Sequence, residues 1–195
     1  MARADRRRQL LNVAWAIVGE AGVEVLTLAR LSEAAGVAKP VVYSHFAHRN
    51  DLLMALYQEF DEDQHARLEA AVAEAGPTLA ARAEALSRCY VACFLSEARQ
   101  IPGVSAALEA APELSRYKAE CERRYAERFQ AALGPFARSG ELSKVTLRGV
   151  LGAADGLSRA AAAGEVSEAD ARNELALLIR SAVRPGDLRV DGGES

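Results

Sequence analysis

The chain has 195 residues, half of them apolar and 6% aromatic, with a formal net charge of -3. That length allows one domain of moderate size, or a small domain joined to a larger one, with enough chain for a real core. No uncharged apolar run approaches the roughly 18 residues that a bilayer-spanning helix needs, so a soluble protein without a membrane partner is expected.

In chain order the pattern reads as helix almost throughout. From Arg7 to Ala21, the residues Leu10, Leu11, Ala14, Ile17, Val18 and Ala21 recur at three- and four-residue steps, and Gly22 sits where a helix would stop. Thr27 is the expected N-cap of a short second helix, Leu28 to Ala35, stopped by Gly36. A third runs from Lys39 to Phe46. Asp51 is expected to cap a long fourth helix carrying Leu52, Leu53, Leu56, Phe60, Leu68 and Val72, which ends near Gly76 and Pro77. Further helices are expected over 78–99, within the broken region IPGVSAALEAAPEL, and over 113–133, 142–163 and 167–183. No segment alternates strictly, so no sheet is expected, and the Gly/Asp-rich stretch from Pro185 to Ser195 reads as a disordered tail.

Charge is unevenly placed. Residues 1–50 carry seven basic and four acidic side chains, a balance of +3, which leaves -6 for the rest. A basic head on an acidic body implies that only the head meets a polyanion. The start MARADRRRQLL has no apolar segment with a small-residue cleavage site behind it, so no secretory leader is read there. Cys89, Cys93 and Cys121 make an odd number of thiols, which favours reduced cysteines in a cytoplasm.

The stretch LARLSEAAGVAKPVVYSHF has the spacing of a helix-turn-helix. Two short helices crossing at a wide angle need a small residue at the approach, a turn residue tolerant of positive φ, and apolar inner faces. Ser32, Gly36, and Leu31, Ala35, Val37, Val42 and Phe46 supply these in turn. With Val42 and Phe46 inward at i and i+4, the outward face of the third helix carries Lys39, Pro40, Val41, Tyr43, Ser44 and His45. That face offers donors and no carboxylate. Lys39 suits guanine O6/N7 or a phosphate, Val41 a thymine methyl, and Tyr43 and His45 a phosphate or a base edge. Arg6, Arg7 and Arg8 read as a solvated helix start or as an arm near phosphate, the basic head favouring the second.

Residues 8–57 resemble the N-terminal DNA-binding region of TetR-family transcriptional regulators. The resemblance rests on Thr27, then Leu-Ser-Glu-Ala-Ala-Gly-Val, then Tyr43 and Phe46, then a basic residue and Asp-Leu-Leu. It implies an all-α protein with an N-terminal three-helix DNA-binding domain over 1–50 and a helical effector-binding and dimerisation domain over 51–184. It further implies a homodimer that binds a palindromic double-stranded DNA operator and releases it when a small-molecule effector is bound. By position in the motif, Thr27 and Arg49 map to places that contact the DNA backbone, and residues 39–41 and 43–45 to the recognition helix. Ala38 departs from the family, where Ser is frequent; a side-chain N-cap worth about 1 kcal/mol is absent.

In the body, Gly152, Gly156 and Ala160 recur every four residues, and Leu175, Leu178, Ile179 and Ala182 form an apolar stripe on the last helix. Together they read as a dimer interface, with a seam inside one chain as the rival. Tyr117, Cys121, Tyr125 and Phe129 at four-residue spacing, with Leu86, Tyr90, Cys93 and Phe94 on an earlier helix, read as the lining of an effector pocket or as ordinary core. Cys89, Cys93 and Cys121 raise the alternative of a thiol- or metal-sensing regulator, although no histidine lies in this part of the body. The chain has no Gly-rich phosphate loop, no nucleophile elbow and no paired His-carboxylate motif, and Asp155 is an isolated carboxylate. No catalytic residue, metal or cofactor is expected.

Overall fold

In a computed structural model, residues 2–100, 102–108 and 112–183 are described. The regular elements among them are helical, without a strand: α1 (Arg3–Ala21), α2 (Leu28–Ala34), α3 (Lys39–Tyr43), α4 (Arg49–Glu74), α5 (Leu79–Gln100), α6 (Pro102–Leu108), α7 (Pro112–Leu133), α8 (Lys144–Ala162) and α9 (Glu168–Val183), with two short 3-10 turns at Val23–Val25 and Gly134–Phe136. The tail expected over 185–195 lies outside the described residues.

Three boundaries depart furthest from the sequence reading, each for a local reason. Helix α1 begins at Arg3 rather than Arg7, because Asp5 in its first turn favours the positive helix end and pairs with Arg8 at 2.8 Å. Helix α3 stops at Tyr43 rather than Phe46. The Ser44 hydroxyl turns back onto the Val41 carbonyl at 2.7 Å, and the His45 amide bonds Val42, three residues back, at 2.9 Å, which tightens the chain out of the α geometry. Helix α4 begins at Arg49, with Asp51 two residues inside it. The Asp51 carboxylate accepts the His48 amide at 3.0 Å, the reciprocal half of a capping box.

The chain packs as two compact units, one formed by the residues up to Ala66 with Ser96–Glu122, the other by Arg67–Leu95 with the residues from Arg123 onward. In the first unit Leu10, Ala14, Leu26, Leu31, Val42, Phe46, Leu52, Leu53 and Leu56 form a buried core, completed by Val104 and Leu108 of α6. Helix α6 lies so close to the 3-10 turn after α1 that a Cβ at Gly103 would overlap the Val23 side chain, so glycine is required there. In the second unit Leu68, Leu86, Val91, Phe129 and Leu133 pack with Val150 and Ala154 of α8 and Ala171, Leu175, Ile179 and Val183 of α9.

Candidate nucleic-acid interface

Helices α2 and α3 carry the expected chemistry on the expected faces. Thr27 caps α2, its Oγ1 accepting the Arg30 amide at 3.0 Å. Ser32 is buried where small size is needed, and its hydroxyl is satisfied by the Ala29 carbonyl at 2.8 Å. Gly36 takes φ of 64° at the turn, a region open to glycine at no cost. Val42 and Phe46 are sealed in the core. Outward, Lys39, Pro40, Tyr43 and Ser44 are exposed, while Val41 and His45 are half-buried. Pro40 sits in the first turn of α3, where its missing N–H leaves no bond unmade, and Ala38 at the N-cap gives no side-chain bond.

Two residues of the outward set have part of their polar capacity committed inside the protein. Ser44 spends its proton on the Val41 carbonyl, which leaves its oxygen as an acceptor. Arg49, expected to face the DNA backbone, is turned inward: Nε donates to the Leu26 carbonyl at 2.8 Å and Nη2 to the Val23 carbonyl at 2.7 Å. The Val23 carbonyl also accepts the Leu26 amide at 3.1 Å within the 3-10 turn, and the guanidinium fork spans it and the Leu26 carbonyl that follows. Arg49 thus ties the start of α4 to the loop before α2.

The arginine-rich start of α1 was legible as basic but not as placed. Arg3 Nη2 donates to the Ser44 carbonyl at 3.0 Å, and Arg7 Nη1 reaches the His45 carbonyl at 3.5 Å while its guanidinium lies 4.8 Å from the centre of the Phe46 ring. Arg8 is paired with Asp5, and Arg6 donates to Gln9. Partial burial, then the charges of Arg3, Arg7 and Arg6, hold the His45 imidazole below its ordinary pKa. At neutral pH His45 therefore presents one donor and one acceptor.

The residues expected around an effector fall into both units. In the first, Tyr117 and Cys121 converge on Asp61 of α4. In the second, Leu86 is buried, Tyr90 stands edge-on to Tyr125 at 5.5 Å and to the buried Phe129 at 6.0 Å, and Cys93 Sγ lies 3.2 Å from the Tyr125 hydroxyl. The Cys121 thiol donates to the Asp61 carboxylate, and burial pushes the Cys89 thiol up by more than Arg88 draws it down. Among the described residues, no group of three or more His, Cys, Asp or Glu is placed to hold a metal ion.

The stripe expected at a dimer interface is divided by burial. Leu175 and Ile179 are fully buried in the second unit's own core, since α9 packs along α8, and are unavailable to a partner. Gly152 and Gly156 face outward with nothing within 4 Å of an added Cβ, as does Gly149. Ala160 is half-buried, and Leu178 and Ala182 are exposed. Beside this face, Leu157, Val166 and Leu177 border an open groove of about 340 Å³.

Residues 10–56 match the family model described as "Bacterial regulatory proteins, tetR family". None of the curated proteins compared matches the chain. Among solved structures, a TetR/AcrR-family transcriptional regulator from Thermobifida fusca YX-ER1 is 24% identical with a TM-score of 0.66, covering 92% of this chain and 99% of its own. A putative transcriptional regulator from Pseudomonas aeruginosa PAO1 is 13% identical with a TM-score of 0.73, over 93% of this chain and 91% of its own. The multidrug binding protein EbrR, complexed with imidazole, is 22% identical with a TM-score of 0.64, over 89% of each chain. Residues 10–56 thus match the TetR family's helix-turn-helix in sequence, and the helical fold is shared with these solved regulators over about nine tenths of the chain.

Proposed function

We propose that the protein is a ligand-responsive repressor that binds a palindromic DNA operator as a homodimer in the cytoplasm and leaves it when a small molecule is bound. The observation that carries this reading is the outward face of α3, where Lys39, Val41, Tyr43 and His45 offer donors and a methyl contact without a carboxylate. The +3 balance over residues 1–50 against -6 elsewhere supports the same orientation toward phosphate. No catalytic role is proposed.

A dimer follows from the economy of reading DNA: one short helix contacts few base pairs, whereas a two-fold pair doubles both the contacts and the sequence specified. Gly152, Gly156, Ala160, Leu178 and Ala182 are the proposed contact residues, supported by the exposed small face of α8 and the exposed leucine beside it. For the effector we propose a mostly apolar compound met by Leu86, Tyr90, Cys93 and Tyr125 in the second unit. Selection of binding sites from random duplex DNA with the full chain tests the central reading. An enriched inverted repeat, bound with a steep dependence on salt, is the expected result; no enrichment, or enrichment of an asymmetric site by a monomer, would refute it.

A further inference from the structure

We infer that Arg3 and Arg7 of α1 are positioning residues of the recognition helix, which hold the carbonyl end of α3 and thereby set how its outward face is presented to DNA. The inference rests on the DNA-binding reading above, for the function it assigns, but not for the contacts themselves.

Helix α3 ends at Tyr43 with Ser44 as its C-cap, so the carbonyls of Ser44 and His45 lie just past the helix and have no intrahelical partner. They are met instead from α1: Arg3 bonds the first at 3.0 Å and Arg7 reaches the second at 3.5 Å. A cation at this end of a helix is also favoured by the helix dipole. Arg7 has a second hold on the segment, since its guanidinium lies over the ring of Phe46, the side chain that anchors this turn in the core. The neighbouring arginines differ: Arg6 and Arg8 bond Gln9 and Asp5 on α1 itself. An arm that served only to contact phosphate would leave all four guanidinium groups pointing away from the protein. Here two of them are directed onto one short stretch, 38 and 41 residues further along the chain.

His45 reports on the clamp. The charged groups that face it are Arg3, Arg6 and Arg7, all on α1, and they join burial in disfavouring its protonation. The test uses the full chain with Arg3→Ala, Arg7→Ala and the double substitution, and Arg8→Ala as a control that also removes a charge from α1. Two readouts are taken. The first is the imidazole NMR titration of His45 in the free protein: its midpoint is expected to rise in Arg3→Ala and Arg7→Ala, rise further in the double variant, and stay in place in Arg8→Ala. The second is binding to a duplex selected by the wild type, measured across salt concentrations. The double variant is expected to bind about tenfold or more weakly with the slope of log affinity against log salt unchanged, whereas a phosphate contact would lower that slope by about one for each arginine removed. A His45 midpoint that stays in place, or one that moves as much in Arg8→Ala, would overturn the inference, and so would a slope that falls by one per arginine. If the wild type binds no duplex DNA, the functional reading fails, while the titration still decides whether the clamp exists.

Discussion

The Tyr117 hydroxyl of α7 donates to the Asp61 carboxylate of α4 at 3.1 Å. The same oxygen, Oδ2, takes the Cys121 thiol at 3.3 Å and lies 3.1 Å from His65 Nδ1, so one buried carboxylate gathers three side chains within the first unit. Burial alone would raise the pKa of Asp61. The hydrogen bond and charge of His65, then the bonds from Cys121 and Tyr117, outweigh it and hold the group below its ordinary value of 3.8. A carboxyl with a lowered folded pKa contributes stability that is complete above the unfolded value and is lost as pH falls through the folded one. Urea unfolding from pH 7 down to pH 3 is therefore expected to show an acid limb that flattens in Asp61→Asn. Tyr117→Phe should cost about 1.5 to 3 kcal/mol at pH 7, as for a bond to a charged group. An unaltered acid limb in Asp61→Asn would show that the cluster contributes nothing to pH-dependent stability.

Arg49 gives a second expectation. Because both of its recorded bonds are to backbone carbonyls of its own chain, Arg49→Gln should lower stability by about 1.5 to 3 kcal/mol. The salt slope of DNA binding should stay as in wild type. A stable variant with a slope reduced by about one would place Arg49 on the DNA backbone instead.

On the outward face of α3, Lys39→Ala and Tyr43→Ala should each weaken operator binding by about 1 to 3 kcal/mol. Both side chains are exposed, so unfolding midpoints should move little. Folded variants with wild-type operator affinity would remove this helix from the interface.

The small face of α8 predicts that Gly156→Leu interferes with self-association while leaving the fold intact, since a Cβ added there meets nothing within 4 Å among the described residues. Sedimentation at low protein concentration should then report monomer for the variant and dimer for wild type. A dimeric variant would move the interface elsewhere.

Much of the helix-turn-helix was legible because its determinants are local. Gly36, Ser32, Val42 and Phe46 act through spacing within a few residues, and Thr27 caps the helix it precedes. What was hidden is long-range. The carbonyls that Arg49 and Arg3 bond lie 23 or more residues away, and a charge in a sequence does not say whether it faces solvent, phosphate or a helix end. Leu175 and Ile179 carried the same apolar periodicity whether α9 packed on α8 or on a second copy, so only the packing of α9 along α8 separates the two readings. The aromatic and thiol stripe of α7 continued without a break through the point where the packing units divide, and Asp61, the group that draws Tyr117 and Cys121 together, stood unremarked among the polar residues of α4.

The first unit's core includes Val104 and Leu108. These residues leave the ribosome long after Phe46 and Leu56, and at about 5 to 20 residues per second the delay amounts to several seconds during synthesis. Through that interval the emerging DNA-binding segment lacks part of the apolar surface that seals it, and the turn at Val23 waits for Gly103. The chain is thus expected to acquire a fully packed helix-turn-helix head only after α6 has emerged, which ties the onset of DNA affinity in a nascent chain to a segment about 60 residues downstream of α3.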